Sequence, residues 1–393
     1  MSKSALAFTP IEKKASYSLA ILFAIRMMGL FLLTPVFAEV AQVLQGGQNV
    51  LWVGMALGAY GVTQALMQIP FGMASDRWGR RRIIIIGMIL FVLGGVICAL
   101  SDHVLGVMIG RFVQGLGAVS AAIMAWIADA TRPEIRTRAM AMAGGSIGFS
   151  FALSLVLSPL LLKIAGLSGL FWTISLLGFL CLLLAVWMVP VVPIHDRAIS
   201  EKSRAKDVLT HPNLLRLNIS VFVLHFCMMA LFMAVPTILF QMAGMTASDL
   251  WKFYLPTLFI ALVAMVPLVI VIEVKRCHRL GLWGSVWGLC VIMLLFILTS
   301  HHVYGFAIVF TLFFIMFNLL EAILPSSVSQ VATPEHKGMA LGFFNMSQAL
   351  GVASGSAMGG WVISHYGLHS VFVMGIVMSV IWMFFLRGFR LSR

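Results

Sequence analysis

Charge is what this sequence has least of. Only 10% of its 393 residues are Asp, Glu, Lys or Arg, and the acids number 13, where a soluble domain carries roughly 25% charge. With 61% hydrophobic residues and a mean hydropathy of +1.04, a water-soluble globule is excluded and an integral membrane protein is implied. Cysteine is scarce and odd in number. Cys98, Cys181, Cys227, Cys277 and Cys290 show no metal-ligand spacing and four of them fall in apolar runs, so they read as small buried residues rather than disulfides or a metal site. The sequence lacks a G-x-x-x-x-G-K-[ST] phosphate loop, so it does not hydrolyse ATP itself. Met1 to Ser16 lacks the apolar core and cleavage site of a signal peptide and reads as a short basic cytoplasmic lead-in. Gly144-Gly145-Ser146-Ile147-Gly148 fits G-x-S-x-G, but mid-membrane and with no strand before it, so no nucleophile elbow forms. No enzyme chemistry, metal or cofactor is expected.

What fills the chain is a series of apolar runs. About 20 residues cross the hydrocarbon core as a helix, and that ruler predicts twelve spans: roughly 16–40, 51–71, 82–100, 104–127, 137–161, 168–190, 213–240, 251–273, 280–299, 303–325, 338–362 and 368–387. The formal charge of +13 invites a nucleic-acid partner, but its distribution argues against one. Of the 26 Lys and Arg, all but Lys163, Lys252, Arg26 and Arg111 fall in the lead-in, the C-terminal end or alternate connections, the positive-inside bias of a multi-pass protein. Both termini are therefore expected on the cytoplasmic side of the inner (plasma) membrane. The longest polar stretch, His195 to Arg216, divides the chain into halves of similar length, as a linker between bundles would. The domain reading is a six-helix bundle over 1–190, a linker over 191–212 and a second bundle over 213–393.

The halves echo one another. Ala130-Thr131-Arg132-Pro133-Glu134 to Arg138-Ala139-Met140-Ala141 parallels Ala332-Thr333-Pro334-Glu335 to Lys337-Gly338-Met339-Ala340, each between the fourth and fifth spans of its half. Paired six-span repeats are the ordinary sign of a transporter.

The stretch between spans two and three reads Gly72-Met73-Ala74-Ser75-Asp76-Arg77-Trp78-Gly79-Arg80-Arg81-Arg82. A loop this short must reverse the chain, and Gly72 and Gly79 suit tight turning. Asp76 can accept from orphan N–H groups at a helix start, and the arginines hold the loop on the cytoplasmic side. The pattern resembles motif A of the major facilitator superfamily. Arg111-Phe112-Val113-Gln114-Gly115-Leu116-Gly117-Ala118 resembles its motif B, and Glu273-Val274-Lys275-Arg276 to Arg279 stands where a degraded motif A belongs in the second half. In detail the chain looks similar to the YajR-type drug/proton antiporters, whose small soluble domain after span twelve it is expected to lack, since it stops at Arg393.

That resemblance implies an all-α fold of two rocking bundles and roles for particular residues. Arg111, inside hydrocarbon, should face a cavity or a partner; in similar transporters this arginine takes part in proton coupling, while bracing backbone carbonyls is the alternative. Arg26, a further candidate for proton coupling, sits about ten residues into span one, roughly 15 Å deep. Glu321 is the deep acid of span ten, sharing a face with Phe310, Phe314 and Asn318. A carboxylate away from water can load and release a proton near neutral pH; the other reading makes Glu321 a structural partner of Arg26 or Arg111. His225, with Met229 and Phe232 on its face, either titrates or is a satisfied hydrogen-bonding residue. The resemblance further implies a charge relay between Asp129 and Arg80 that latches the outward-open state and breaks as the halves rock, against the plainer reading of a solvated cluster. Ser158-Pro159 stands where drug exporters end motif C in Gly-Pro, leaving the direction of transport open. Glycine ladders at Gly54/Gly58 and Gly351/Gly355/Gly359 permit close helix approach.

The function expected is a monomeric, proton-coupled secondary transporter exporting lipophilic or amphipathic small molecules. Arg26, Met27, Arg111, Gln114, His225, Met229, Phe232, Phe314, Asn318 and Glu321 are expected to line its cavity. Its partners are then a small-molecule substrate, protons and the lipid bilayer, with no nucleic acid. A transporter dedicated to one metabolite, and a non-transporting receptor or scaffold, are the alternatives.

Overall fold

In the computed structural model, residues 8–189, 205–275, 278–333 and 337–389 are described, and among them the regular structure is helical, with one isolated bridge between Gln45 and His103. Hydrocarbon offers no partner to backbone N–H and C=O groups, so a spanning chain satisfies them within helices. In chain order these are α1 (Pro10–Phe31), α2 (Phe37–Val40), α3 (Val50–Trp78), α4 (Arg80–Ala99), α5 (Val104–Leu116), α6 (Ser120–Asp129), α7 (Pro133–Trp187), α8 (Ala205–Thr210), α9 (Pro212–Ala243), α10 (Trp251–Val274), α11 (His278–Thr299), α12 (Val303–Val331), α13 (Lys337–Tyr366) and α14 (Ser370–Leu386). Among the described residues nine helices are long and apolar enough to cross a membrane, and α14 is a shorter apolar one.

Local chemistry explains several boundaries. Thr9 caps α1 in a reciprocal box with Glu12, with Pro10 in the first turn. The lead-in therefore turns helical earlier than the sequence suggests, and α1 ends at Phe31 rather than near residue 40. The chain then turns and places Glu39 in the separate, short α2. Gly79, at φ 92° and ψ 140°, is the hinge between α3 and α4, a conformation that L side chains resist. Gly72, expected at that turn, instead lies inside α3. The fourth span is broken: α5 ends at Leu116 and α6 begins at Ser120. The 55-residue α7 contains Gly166 at φ 66° and ψ −170°, where two helices meet at a kink.

Helices α1 and α3 to α7 pack on one another, as do α9 to α14, and the main contact between the two sets is α3 against α13, with α10 against α7 beside it. The ladder Gly54, Gly58 and Gly61 is what allows this approach: a Cβ at Gly58 or at Gly61 would stand 2.7 Å from a carbonyl of α13, Ala353 or Ala349 respectively. The second ladder faces elsewhere. Gly351 and Gly355 approach the α9 carbonyls of Phe222 and Phe226, inside the second set.

Candidate functional site

The arginines of the first set converge on a tyrosine. Arg26 on α1 is fully buried; its guanidinium donates to Ser120 Oγ at 2.7 Å and to the Tyr60 hydroxyl at 2.7 Å, and lies 3.5 Å from Met27 Sδ. Arg111 on α5 donates to Gln114 Oε1 at 3.0 Å and lies 4.6 Å from the centroid of the same Tyr60 ring, within cation–π range. The break between α5 and α6 puts Ser120 at the start of a new helix, within reach of Arg26. Tyr60 and Ser120 escaped the sequence reading. The signal that could have found Tyr60 is its rarity, since the chain has only 5 tyrosines.

In the second set, His225 on α9 and Glu321 on α12 approach to 3.6 Å (Nε2 to Oε1). His225 Nδ1 stands 3.1 Å from the Val221 carbonyl, which can only accept, so Nδ1 carries the proton. Its Nε2 is then free to accept from the Gln348 amide at 2.7 Å. Gln348 on α13 was not anticipated. With Nε2 accepting from Gln348, a further proton belongs on the Glu321 carboxylate, which stands beyond hydrogen-bond distance of the ring and keeps 30% of its side chain exposed. Neither arginine is among the contacts of Glu321; its partner is the histidine.

An aromatic wall joins the sets. Phe151 on α7 lies 5.9 Å from both Phe314 and Phe317 and 6.4 Å from Phe232 (ring centroids), and 4.9 Å from Phe31 on α1. Met229 is buried on α9 and Asn318 half-buried on α12.

The two ends differ. At the basic end, Arg80 pairs with Asp129 at 2.9 Å and donates to Ser75 Oγ at 2.6 Å, while Arg81 donates to the Ala185 carbonyl. Arg77 is exposed; the side chain of Asp76 lies outside those described, as do residues 190–204 of the linker and residues 334–336 of the repeat. Glu12 pairs with Arg132 at 2.8 Å. Both partners of the Arg80–Asp129 pair and of the Glu12–Arg132 pair belong to the first set. At the far end the contacts cross between sets: Glu39 Oε1 accepts from the Ala247 N–H at 3.0 Å, and the Tyr254 hydroxyl donates to the Pro35 carbonyl at 3.2 Å.

A family model described as Major Facilitator Superfamily matches residues 19–284. The inner membrane transport protein YajR of Escherichia coli K12 is 40% identical over 379 residues, covering 95% of this chain and 83% of its own length. The chain belongs to the major facilitator superfamily. As a member it is a secondary active transporter of small molecules rather than an enzyme. The multidrug resistance protein MdtL of Shigella dysenteriae is 28% identical over 152 residues, 38% of this chain and 39% of that one. The fold is shared with a crystal structure of a D-xylose–proton symporter, at TM-score 0.75 and 16% identity over 95% of this chain and 97% of that chain. The family assignment accounts for the basic-end signature and for two helix sets meeting across a central wall of side chains.

Proposed function

We propose that this protein is a proton-coupled exporter of lipophilic or amphipathic molecules, in the inner membrane with both termini cytoplasmic, working by alternating access between two six-helix bundles, 1–190 and 213–393. The twelve-span count rests on α5 and α6 forming one broken crossing, α7 two crossings joined at Gly166, and α13 and α14 the last two. Relatives whose names specify multidrug resistance and transport support the direction and cargo. The basic end is taken as cytoplasmic from its charge. With the crossing contacts at the far end, the described conformation is then closed to the outside. We assign the Arg80–Asp129 pair, 2.9 Å apart, to the cluster that latches the outward-open state and breaks as the halves rock.

The observation that carries the reading is the His225–Glu321 approach in the middle of the second bundle, beside the aromatic wall. We assign the coupling proton to this pair and the cargo to a cavity that opens between it and Arg26, Met27, Arg111 and Gln114 as the bundles part. Glu321→Gln reconstituted in proteoliposomes should lose transport driven by a pH gradient while substrate exchange at equal pH continues. Driven transport at the unmodified rate would remove Glu321 from the mechanism.

A further inference from the structure

The two buried arginines lack a negative partner. Arg26 is fully buried and Arg111 is 3% exposed. Their hydrogen-bonding and stacking neighbours, Ser120, Tyr60, Met27 and Gln114, are all neutral side chains. Among the described residues no carboxylate lies within 4.0 Å of either guanidinium. A guanidinium does not shed its proton in a protein, and an uncompensated charge inside a membrane bundle is costly unless something pairs with it. Donors are also left over. Arg26 Nε, Arg111 Nε and Gln114 Nε2 are all buried without a hydrogen-bond partner, three N–H groups that a neutral or cationic guest would leave unsatisfied. The deep acid that might have neutralised them sits in the other bundle against His225.

We propose that the cargo is an amphipathic anion, a carboxylate or sulfonate head on a lipophilic body. Its head would be neutralised by Arg26 and Arg111, and its body would lie along Phe151, Phe232, Phe314 and Phe317. The inference rests on the transporter reading above and narrows its substrate class. Two features place head and body together. Arg26 and Phe31 share α1, and Phe31 makes an edge-to-face contact with Phe151, the ring that also meets the aromatic side chains of the second bundle. A planar head with two oxygens matches the fork of a guanidinium, so the missing negative charge arrives with the solute and departs with it. With the far end closed, entry requires the bundles to part around this wall.

The test compares three probes with one body and different heads: 1-pyrenebutanoate, 1-pyrenebutanol and 1-pyrenebutylamine. Affinity for the full chain in nanodiscs is read by tryptophan quenching and by the shift in Tm. The butanoate should bind at least about tenfold more tightly than the other two, which is 1.4 kcal/mol. Arg26→Gln and Arg111→Gln should each abolish that preference while leaving the weaker alcohol binding. Equal binding of the three, a preference for the amine, or no binding of any overturns the proposal, as does an anion preference that survives both substitutions. If either variant fails to fold, the ranking on the unmodified chain decides. Proton flux in proteoliposomes keeps the two readings apart. Flux driven by the alcohol or amine, without anion preference, retains the transporter and sinks the anion site. Tight anion binding without flux from any probe retains the site and sinks the proton coupling.

Discussion

At the residue scale the decisive feature is how few ionisable groups are buried and how differently each is accommodated. Tyr60 serves two arginines at once, its hydroxyl on Arg26 and its ring under Arg111, while His225 is held by Val221 on one side and Gln348 on the other. Glu39, outside the spans, is the titratable group at the far-end contact. Burial raises its hold on a proton and the Ala247 N–H opposes this, leaving it above the ordinary value of 4.5. A carboxyl whose affinity is raised in the closed form stabilises that form fully below its ordinary value, and the contribution is lost as pH rises through the raised one. The outer end should therefore open more readily as the outside pH rises above the ordinary carboxyl value of 4.5 and through the raised one. Glu39→Gln, which keeps an acceptor for Ala247 but cannot titrate, should hold it closed throughout. Thiol accessibility of a cysteine placed at the outer end reads both. A pH response identical in the variant would rule Glu39 out.

At the scale of elements, the sequence made the glycine ladders visible but not their targets. Spacing shows that Gly54 and Gly58 share a face, yet nothing in α3 alone says that the face meets Ser356 and Ala353 of α13 rather than a neighbour in its own bundle. Gly58→Leu would drive a branched side chain toward the Ala353 carbonyl, where even a Cβ comes within 2.7 Å. Overpacking of this kind costs about 1–3 kcal/mol, and the cost falls on the contact between bundles. Outer-end thiol labelling should rise severalfold with only a modest fall in Tm. Unchanged labelling would mean that this face does not close the outer end. The break after Leu116 was similarly unreadable, whereas the kink at Gly166 falls in the gap between the spans predicted over 137–161 and 168–190. Apolar runs count residues, whereas a break is set by what packs on either side of it.

For the whole molecule the question is whether the bundles move as units. At the far end two hydrogen bonds, Glu39 to Ala247 and Tyr254 to Pro35, join the close packing of α3 on α13, and such polar contacts suit an interface that forms and releases in each cycle. A Glu39→Cys, Ala247→Cys double variant brackets a single 3.0 Å hydrogen bond. A short reducible bis-thiol reagent should cross-link the pair and stop transport, and a reductant should restore the rate. A cross-linked protein that transports normally would exclude rocking at this end.

Composition alone required a membrane protein of many helices, because so apolar a chain has nowhere else to satisfy its backbone. The basic motif at Arg80 and the buried Arg111 pointed to the family for the same reason: charge is affordable there only in particular places. Which charges meet was settled by the tertiary structure. Glu321 was open to an arginine or a proton, and it lies against His225, 96 residues earlier in the sequence but on a neighbouring helix in space. Arg26 and Arg111 were separate features of two spans until Tyr60 on a third joined them. Side-chain partnerships across a bundle depend on helix rotation and on gaps between helices, and neither is written in the period of any one of them.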